Sequence, residues 1–312
     1  DQVCGIEARV HGLDRGPAGW TLRTPIGALD ARRVVVAVGL PRHLPPAPLR
    51  EAWAWWGAGE AVDADAEVLL AGSGLTAVDM VLGLRDRGHR GPITVISPTA
   101  CWPEVHAPTP PLAEAAAAAL LDALRDSRSA AQVVAALRRA SRNAAWRAVV
   151  DALRPHSNAL WQAWPIPLRA RLLRHGFGQW NRHRHRMAPE IGERLAADPA
   201  LRLRPGRVGV VDGRLVHRYR GTTQPLASTL ALDCRGPAFG ALPTQQVWLQ
   251  GLLDTGDLKP YPLGSGIAAP VREDLALVGA ANFGTLLEST AIPELRAQAQ
   301  TLAARWFGGG GH

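Results

Sequence analysis

The run Val68-Leu69-Leu70-Ala71-Gly72-Ser73-Gly74-Leu75-Thr76-Ala77-Val78-Asp79-Met80 constrains this chain more than any other. An apolar segment of strand type leads straight into Gly-x-Gly-x-x-Ala. Leu75, Val78, Met80, Val81, Leu82 and Leu84 then follow helical periodicity, and Arg85, Arg87 and Gly88 supply stop signals. A second strand, Ile93-Thr94-Val95-Ile96-Ser97, comes next. This order is that of a βαβ unit that holds a dinucleotide. Gly72 allows the tight turn, Gly74 lets the backbone approach a pyrophosphate, and small Ala77 lets the helix lie close on the strand. Amides at the helix start would face the phosphates, with Ser73, Leu75 and Thr76 completing the loop. The competing reading is a tight βα turn without a ligand.

The end of the second strand bears on which nucleotide binds. NAD sites usually place Asp or Glu there, on the ribose 2′-hydroxyl. Here the strand closes on Ser97, followed by Pro98 and Thr99, so no acid repels a 2′-phosphate and NADP is favoured. No Arg stands just after Ser97 to grip that phosphate, and Arg87 and Arg90 are the nearest candidates.

A chain of 312 residues leads us to expect two domains. No apolar run is long enough to span a membrane, since Glu114, Asp122 and Arg125 break up the Ala118–Leu121 region. The net charge of +8 raises the question of nucleic acid. Yet Lys259 is the sole lysine, arginine is spread along the chain, and no zinc-finger spacing or long basic run occurs. Small anionic ligands fit this charge better than nucleic acid. Cys4, Cys101 and Cys234 lie far apart, as expected of idle thiols in a reducing cytoplasm.

Residues 1–46 read as β structure, with strands at Val3–Val10, Gly19–Thr24 and Arg33–Gly39. A proline-rich linker follows. Residues 111–184 form a helical block, in which Ser129 is a plausible N-cap and Trp161, Trp164 and Trp180 are core candidates. Pro189–Ala196 reads as a helix, and Asp212-Gly213 as the turn of a hairpin. Leu226–Asp233 and Asp274–Gly279 read as strands, Leu286–Phe307 as a C-terminal helix, and Gly308–Gly311 as a flexible tail.

Several strings together resemble the FAD/NAD(P)-binding protein family of the two-dinucleotide-binding flavoproteins. They are Val34–Gly39, Leu69–Asp79, Gly88–Ile93, His183-Arg184-His185-Arg186-Met187-Ala188-Pro189, Asp233–Pro237 and Glu288–Glu294. The resemblance implies an α/β fold of Rossmann-like parallel sheets with a helical insertion. Its domains would be residues 1–50 as the remainder of an FAD-binding domain and 51–110 as the first part of an NAD(P)-binding domain. Residues 111–186 would be the insertion, 187–240 the second NAD(P) part, and 241–312 the rest of the FAD domain with the tail. It implies FAD and NAD(P) as cofactors, NADP being the form that the end of the second strand favours, and a small-molecule substrate. Gly39, Gly279 and a helix start near Ile292 would face the flavin. The chain departs from the family in showing no first Gly-rich fingerprint before residue 34. It is therefore expected to begin partway through the FAD domain and to hold FAD poorly alone.

His183, Arg184, His185 and Arg186 form a dense basic string with few carboxylates near it. A phosphate or substrate-anion contact fits that charge; a solvated basic turn is the alternative, and a metal site is not expected. Two functional classes remain. One is an FAD- and NAD(P)H-dependent oxidoreductase, monooxygenase-like, passing hydride from nicotinamide to flavin and on to an unknown acceptor. The other is a non-catalytic protein that binds a nucleotide or a partner.

Overall fold

The computed structural model describes residues 3–16, 19–41, 44–237, 247–268, 270 and 272–308. The chain opens with β1 (Gly12–Gly16), β2 (Gly19–Thr24), β3 (Gly27–Ala31) and β4 (Val34–Val36). Then come β5 (Arg50–Glu51), α1 (Ala52–Gly57), β6 (Val68–Ala71), α2 (Leu75–Asp86) and β7 (Ile93–Ser97). A helical stretch follows: α3 (Glu114–Arg125), α4 (Ala130–Asn143), α5 (Trp146–Leu153), α6 (Ser157–Ala163), α7 (Ile166–His175), α8 (Phe177–Arg184) and α9 (Pro189–Ala197). Strands β8 (Leu201–Pro205), β9 (Arg207–Val211), β10 (Arg214–Tyr219), β11 (Thr222–Pro225) and β12 (Leu230–Asp233) come next. Helix α10 (Val247–Asp254), β13 (Leu275–Leu277) and α11 (Ile292–Phe307) complete the chain. It divides into two compact units: residues 43–155 with 171–236, and residues 1–42 with 156–170 and 237–312.

The first of these units is built on a five-stranded sheet in the order β5-β12-β6-β7-β8, with every pairing parallel. All residues of β6, β7 and β12 are buried, which explains their continuous apolar runs without alternation. One face packs on α2 through Ala77, Val78, Met80, Val81 and Leu84, joined by Trp55, Met187 and Leu195. On the other face Leu69, Ala71, Ile96 and Ala231 meet Val208 and Leu215 of the antiparallel β9-β10-β11 sheet. Full burial of each Leu, Ile or Met here contributes roughly 1.5–3 kcal/mol. Arg85 ties the far end of α2 down. It donates to both Asp198 oxygens (2.7 and 3.3 Å) and to the carbonyls of His89 and Gly91 (3.0 and 2.9 Å).

The other unit pairs β4 with β13 in parallel and carries the antiparallel β1-β2-β3 sheet. Its core contains Trp20, Val34, Val36, Leu249, Leu252, Leu275 and Leu277. Helix α6 belongs to this unit although it lies inside the helical stretch. Trp161 is buried, and its Nε1 donates to the Gly284 carbonyl at 2.6 Å; Asn158 exchanges two 2.8 Å bonds with the Glu288 backbone.

The βαβ segment, the helical stretch and the hairpin at Asp212-Gly213 stand where the sequence pattern places them. Asp212 and Gly213 adopt φ of +48° and +71°, as a two-residue hairpin turn requires. Ser129 caps α4 in a reciprocal capping box with Gln132. Other expectations change. Val3–Val10 is not a strand; pairing begins at Gly12, where β2 offers a partner. The C-terminal helix starts at Ile292 and not Leu286, because residues 283–286 close a tight loop in which the Leu286 amide donates to Asn282. The expected tail beyond Gly308 lies outside the described residues.

Two substitutions test this packing. A Cβ on buried Gly91 would overlap the Ala66 carbonyl and stand 2.5 Å from the Asp65 carbonyl carbon. Gly91→Ala is expected to lose about 1–3 kcal/mol in urea unfolding, since backbone cannot swing away as a side chain can. Asp198 tests the Arg85 tie. Burial opposes its charge, but the Arg85 hydrogen bond, the Ala200 amide, the Arg85 charge and the Leu201 amide outweigh it and hold the carboxyl below its usual range. A carboxylate depressed in this way stabilises the fold above its unfolded value of about 3.9. That contribution is lost as pH falls through the folded value. Asp198→Asn is thus expected to cost about 1–2 kcal/mol at neutral pH, with the gap to wild type closing in strong acid. An equal gap at both pH values would contradict this.

Candidate dinucleotide site

The site is assembled where β6 ends between its two neighbours. The Gly72 amide donates to the Ile96 carbonyl on β7 at 2.8 Å, and the Cys234 amide donates to the Ala71 carbonyl at 2.8 Å. Gly72 has φ of +108°, and a Cβ there would stand 2.7 Å from the Cys234 carbonyl oxygen. Both backbone conformation and close approach therefore require glycine. Ser73 Oγ lies 2.8 Å from Ser97 Oγ and 2.7 Å from the Cys101 carbonyl, and the Ala100 amide donates to Ser97 Oγ at 3.1 Å. These bonds lock the turn onto the end of the second strand.

Gly74 has different surroundings. Its φ is an ordinary −76°, and a Cβ there would meet no atom of the chain within 4 Å. Gly74 is also the N-cap of α2, without a side chain to cap it. Nothing in the chain's own packing calls for glycine here, yet the residue leaves both open space and an uncapped helix start. Open space beside the N-terminal amides of a helix suits an anion. Leu75 is exposed beside it, Thr76 is half-buried, and Ala77 is fully buried against the sheet.

The elements that flank the turn carry further groups that were not expected as site residues. Asp233, fully buried at the end of β12, is held by Arg235 through Nε (2.8 Å) and Nη2 (2.5 Å). Burial and the neighbouring carboxylates push the Cys234 thiol far up, so it stays protonated. Asp79, one turn into α2, is exposed as a residue, yet partial desolvation of its carboxyl raises its pKa.

The two basic candidates for a 2′-phosphate lie at the wrong edge of the sheet. Arg87 and Arg90 follow α2 and precede β7, whereas the ribose end of a dinucleotide falls at the C-terminal end of that strand. Arg87 stacks 3.3 Å over the Trp56 ring, and Arg90 faces Asp65 at 3.7 Å.

His183 and Arg184 close α8, with His185 as its C-cap. His183 stands edge-on to Trp146 at 4.7 Å, with Nδ1 2.8 Å from the Gln179 carbonyl. Arg186 is almost fully buried and grips Asp151 with both terminal nitrogens (3.2 and 2.5 Å). In the other unit, Gly39 and Gly279 follow the paired strands β4 and β13 and share one edge. Gly39 (φ +73°) is exposed with open space around it. Gly279 is buried, and its amide donates to Gln298 Oε1 on α11 at 2.9 Å. Ile292 is exposed at the start of that helix.

Dinucleotides can be tested against these two regions. The Gly72–Thr76 turn suits a pyrophosphate. The edge at Gly39 and Gly279 suits it less, because Pro293 lacks an amide hydrogen and Glu294 puts a carboxylate in the first turn of α11. Among the described residues, that unit holds no second glycine turn joining strand to helix.

The architecture is mixed α/β with a five-stranded parallel sheet, and its fold is similar to that of several solved flavoenzymes. Ornithine N-hydroxylase of Kutzneria sp. 744, in a structure with reduced FAD, NADP+ and L-ornithine, matches at TM-score 0.55 and 15% identity, over 95% of this chain and 70% of the other. L-lysine 6-monooxygenase of Pseudomonas syringae matches at 0.56 and 13%, over 96% and 70%. The FAD-bound cadaverine monooxygenase of desferrioxamine biosynthesis from Erwinia amylovora matches at 0.56 and 10%, over 96% and 68%. At these identities the likeness establishes the fold. No protein-family model and no curated protein matches the chain. Among the described residues no helix is long and apolar enough to cross a membrane.

The uncapped start of α2 makes a direct prediction. Gly74→Asp would place a capping carboxylate on the free amides and is expected to stabilise the protein by about 0.5–1 kcal/mol. A thermal melt shows this as a raised Tm; a lowered Tm would mean the helix start is already satisfied.

Proposed function

We propose that this chain is a flavin-dependent NADP(H) oxidoreductase, monooxygenase-like, acting on a small molecule. The observation that carries the reading is the glycine turn between β6 and α2: Gly72 is demanded by its φ and close approach, and Gly74 leaves open space at a helix start without a side-chain cap. The Gly72–Thr76 turn would hold the pyrophosphate of NADP(H), with Ser73 and Ser97 keeping the turn rigid. The fold it shares with FAD- and NADP-bound enzymes supports FAD as the second cofactor, with the Gly39 and Gly279 edge and the start of α11 beside it. When both are bound, the nicotinamide supplies hydride and the flavin accepts it. The chain's own task is to bind and orient. Arg184 and Arg186, with His183 and His185, would offer positive charge to an anionic ligand, for which Arg186 would have to exchange its bond to Asp151.

Titration calorimetry tests the reading. Wild type is expected to bind NADPH. Gly74→Asp is expected to lose that binding, because its carboxylate would occupy the cradle and repel the phosphates. Equal binding by both proteins would remove NADPH from this turn. NADPH binding without NADPH oxidation in the presence of FAD would favour the non-catalytic nucleotide-binding alternative.

A further inference from the structure

The β9-β10-β11 sheet borders the end of β7, where the Gly206 amide donates to the Ser97 carbonyl at 2.9 Å. Between them lies a cavity of about 390 Å³ walled by Pro98, Gly206, Arg207, Arg218, Arg220 and Thr223, among others. Three arginines converge on it. Arg207 and Arg218 stand directly opposite one another on β9 and β10, the placement in which like charges destabilise a strand pair. Among the described residues neither they nor Arg220 has a carboxylate at ion-pair distance. The Arg218 guanidinium lies over Gly209, where a Cβ would meet its Cζ and Nε at 3.3 Å.

Arg220 adds a second, independent sign. The hairpin from β10 to β11 turns on Arg220 and Gly221, with Tyr219 paired to Thr222. Arg220 takes φ of +47°, a conformation long side chains rarely adopt. The neighbouring hairpin from β9 to β10 uses Asp-Gly at the same place, the usual choice. The Arg220 guanidinium lies 5.1 Å over the Tyr219 ring and has no carboxylate partner among the described residues, so a strained backbone presents its charge to the cavity, a pattern found where a ligand is held.

The cavity adjoins the dinucleotide cradle. Pro98 follows Ser97, whose Oγ contacts Ser73 in the glycine turn. In a βαβ nucleotide site the C-terminal end of the second strand receives the ribose 2′ position. We infer that the Arg207–Arg218–Arg220 cavity takes a phosphomonoester dianion, the 2′-phosphate of NADP(H), and makes this chain selective for NADP(H) over NAD(H). The inference rests on the dinucleotide reading of the Gly72–Thr76 turn. Forked guanidinium donors suit phosphate oxygens, and the anion relieves the repulsion between Arg207 and Arg218.

Titrations of NADPH, NADH and inorganic phosphate against wild type, Gly74→Asp and the double variant Arg207→Ser/Arg218→Ser test it. Both arginines are exposed, so the double variant is expected to fold with an unchanged or higher Tm. It is expected to lose NADPH affinity about tenfold or more while NADH affinity stays. Gly74→Asp is expected to lose both nucleotides. Unchanged NADPH affinity in the folded double variant overturns the inference and leaves the cradle standing. If wild type binds neither nucleotide, the cradle reading and this inference fall together. Arginine-dependent binding of phosphate with no dinucleotide binding would assign the cavity to a separate phosphorylated molecule, and so overturn the 2′-phosphate assignment.

Discussion

The approach of Gly72 to the Cys234 carbonyl, 2.7 Å from where a Cβ would stand, is the constraint on which the rest of the site depends. It brings the ends of β6 and β12 together, while the Gly72 amide holds the end of β7 from the other side. The chain must then leave the sheet at once, and α2 starts three residues later, at Leu75. Any side chain at residue 72 would push β6 and β12 apart and tilt the helix. Because the turn is held by main-chain bonds and by Ser73, Ser97 and Cys101, its amides are already in place before a ligand arrives. Pre-organisation of this kind removes an ordering cost from binding.

Stability and function pull apart at the next glycine. A capping side chain at residue 74 would strengthen α2 at no steric cost, and the chain does without it. The same trade recurs at the β9-β10-β11 sheet, where two facing arginines and a left-handed Arg220 weaken the strands that carry them. Features that lower stability cluster around one end of the parallel sheet, the usual place for a ligand in an open α/β fold.

The sequence made some of this legible and hid the rest for identifiable reasons. Strand β6, helix α2 and strand β7 are set by local patterns, so the glycine turn and Ser97 could be read directly. Strand β5 is only two residues long, and it forms because β12, far along the chain, pairs with it. No local periodicity announces such pairing. Helix α6 looks like its helical neighbours in sequence, but Trp161 and Asn158 bind it to Gly284 and Glu288. The arginine cavity was hidden for a related reason. A search for a basic residue just after Ser97 finds none, because the arginines arrive from strands more than a hundred residues later. Arg87 and Arg90 are nearer in sequence and lie at the opposite edge. The one available signal was Arg220-Gly221 in a hairpin position that normally takes Asn, Asp or Gly.

The account's central claim is that the amides at the start of α2 bind the dinucleotide pyrophosphate. Hydrogen–deuterium exchange with and without NADPH addresses them directly. The account predicts slowed exchange in the peptide spanning Gly72–Val78 and in the segment after Ser97, with the far end of α2 unchanged. Binding of NADPH that leaves the Gly72–Val78 amides exchanging as fast as before would contradict it.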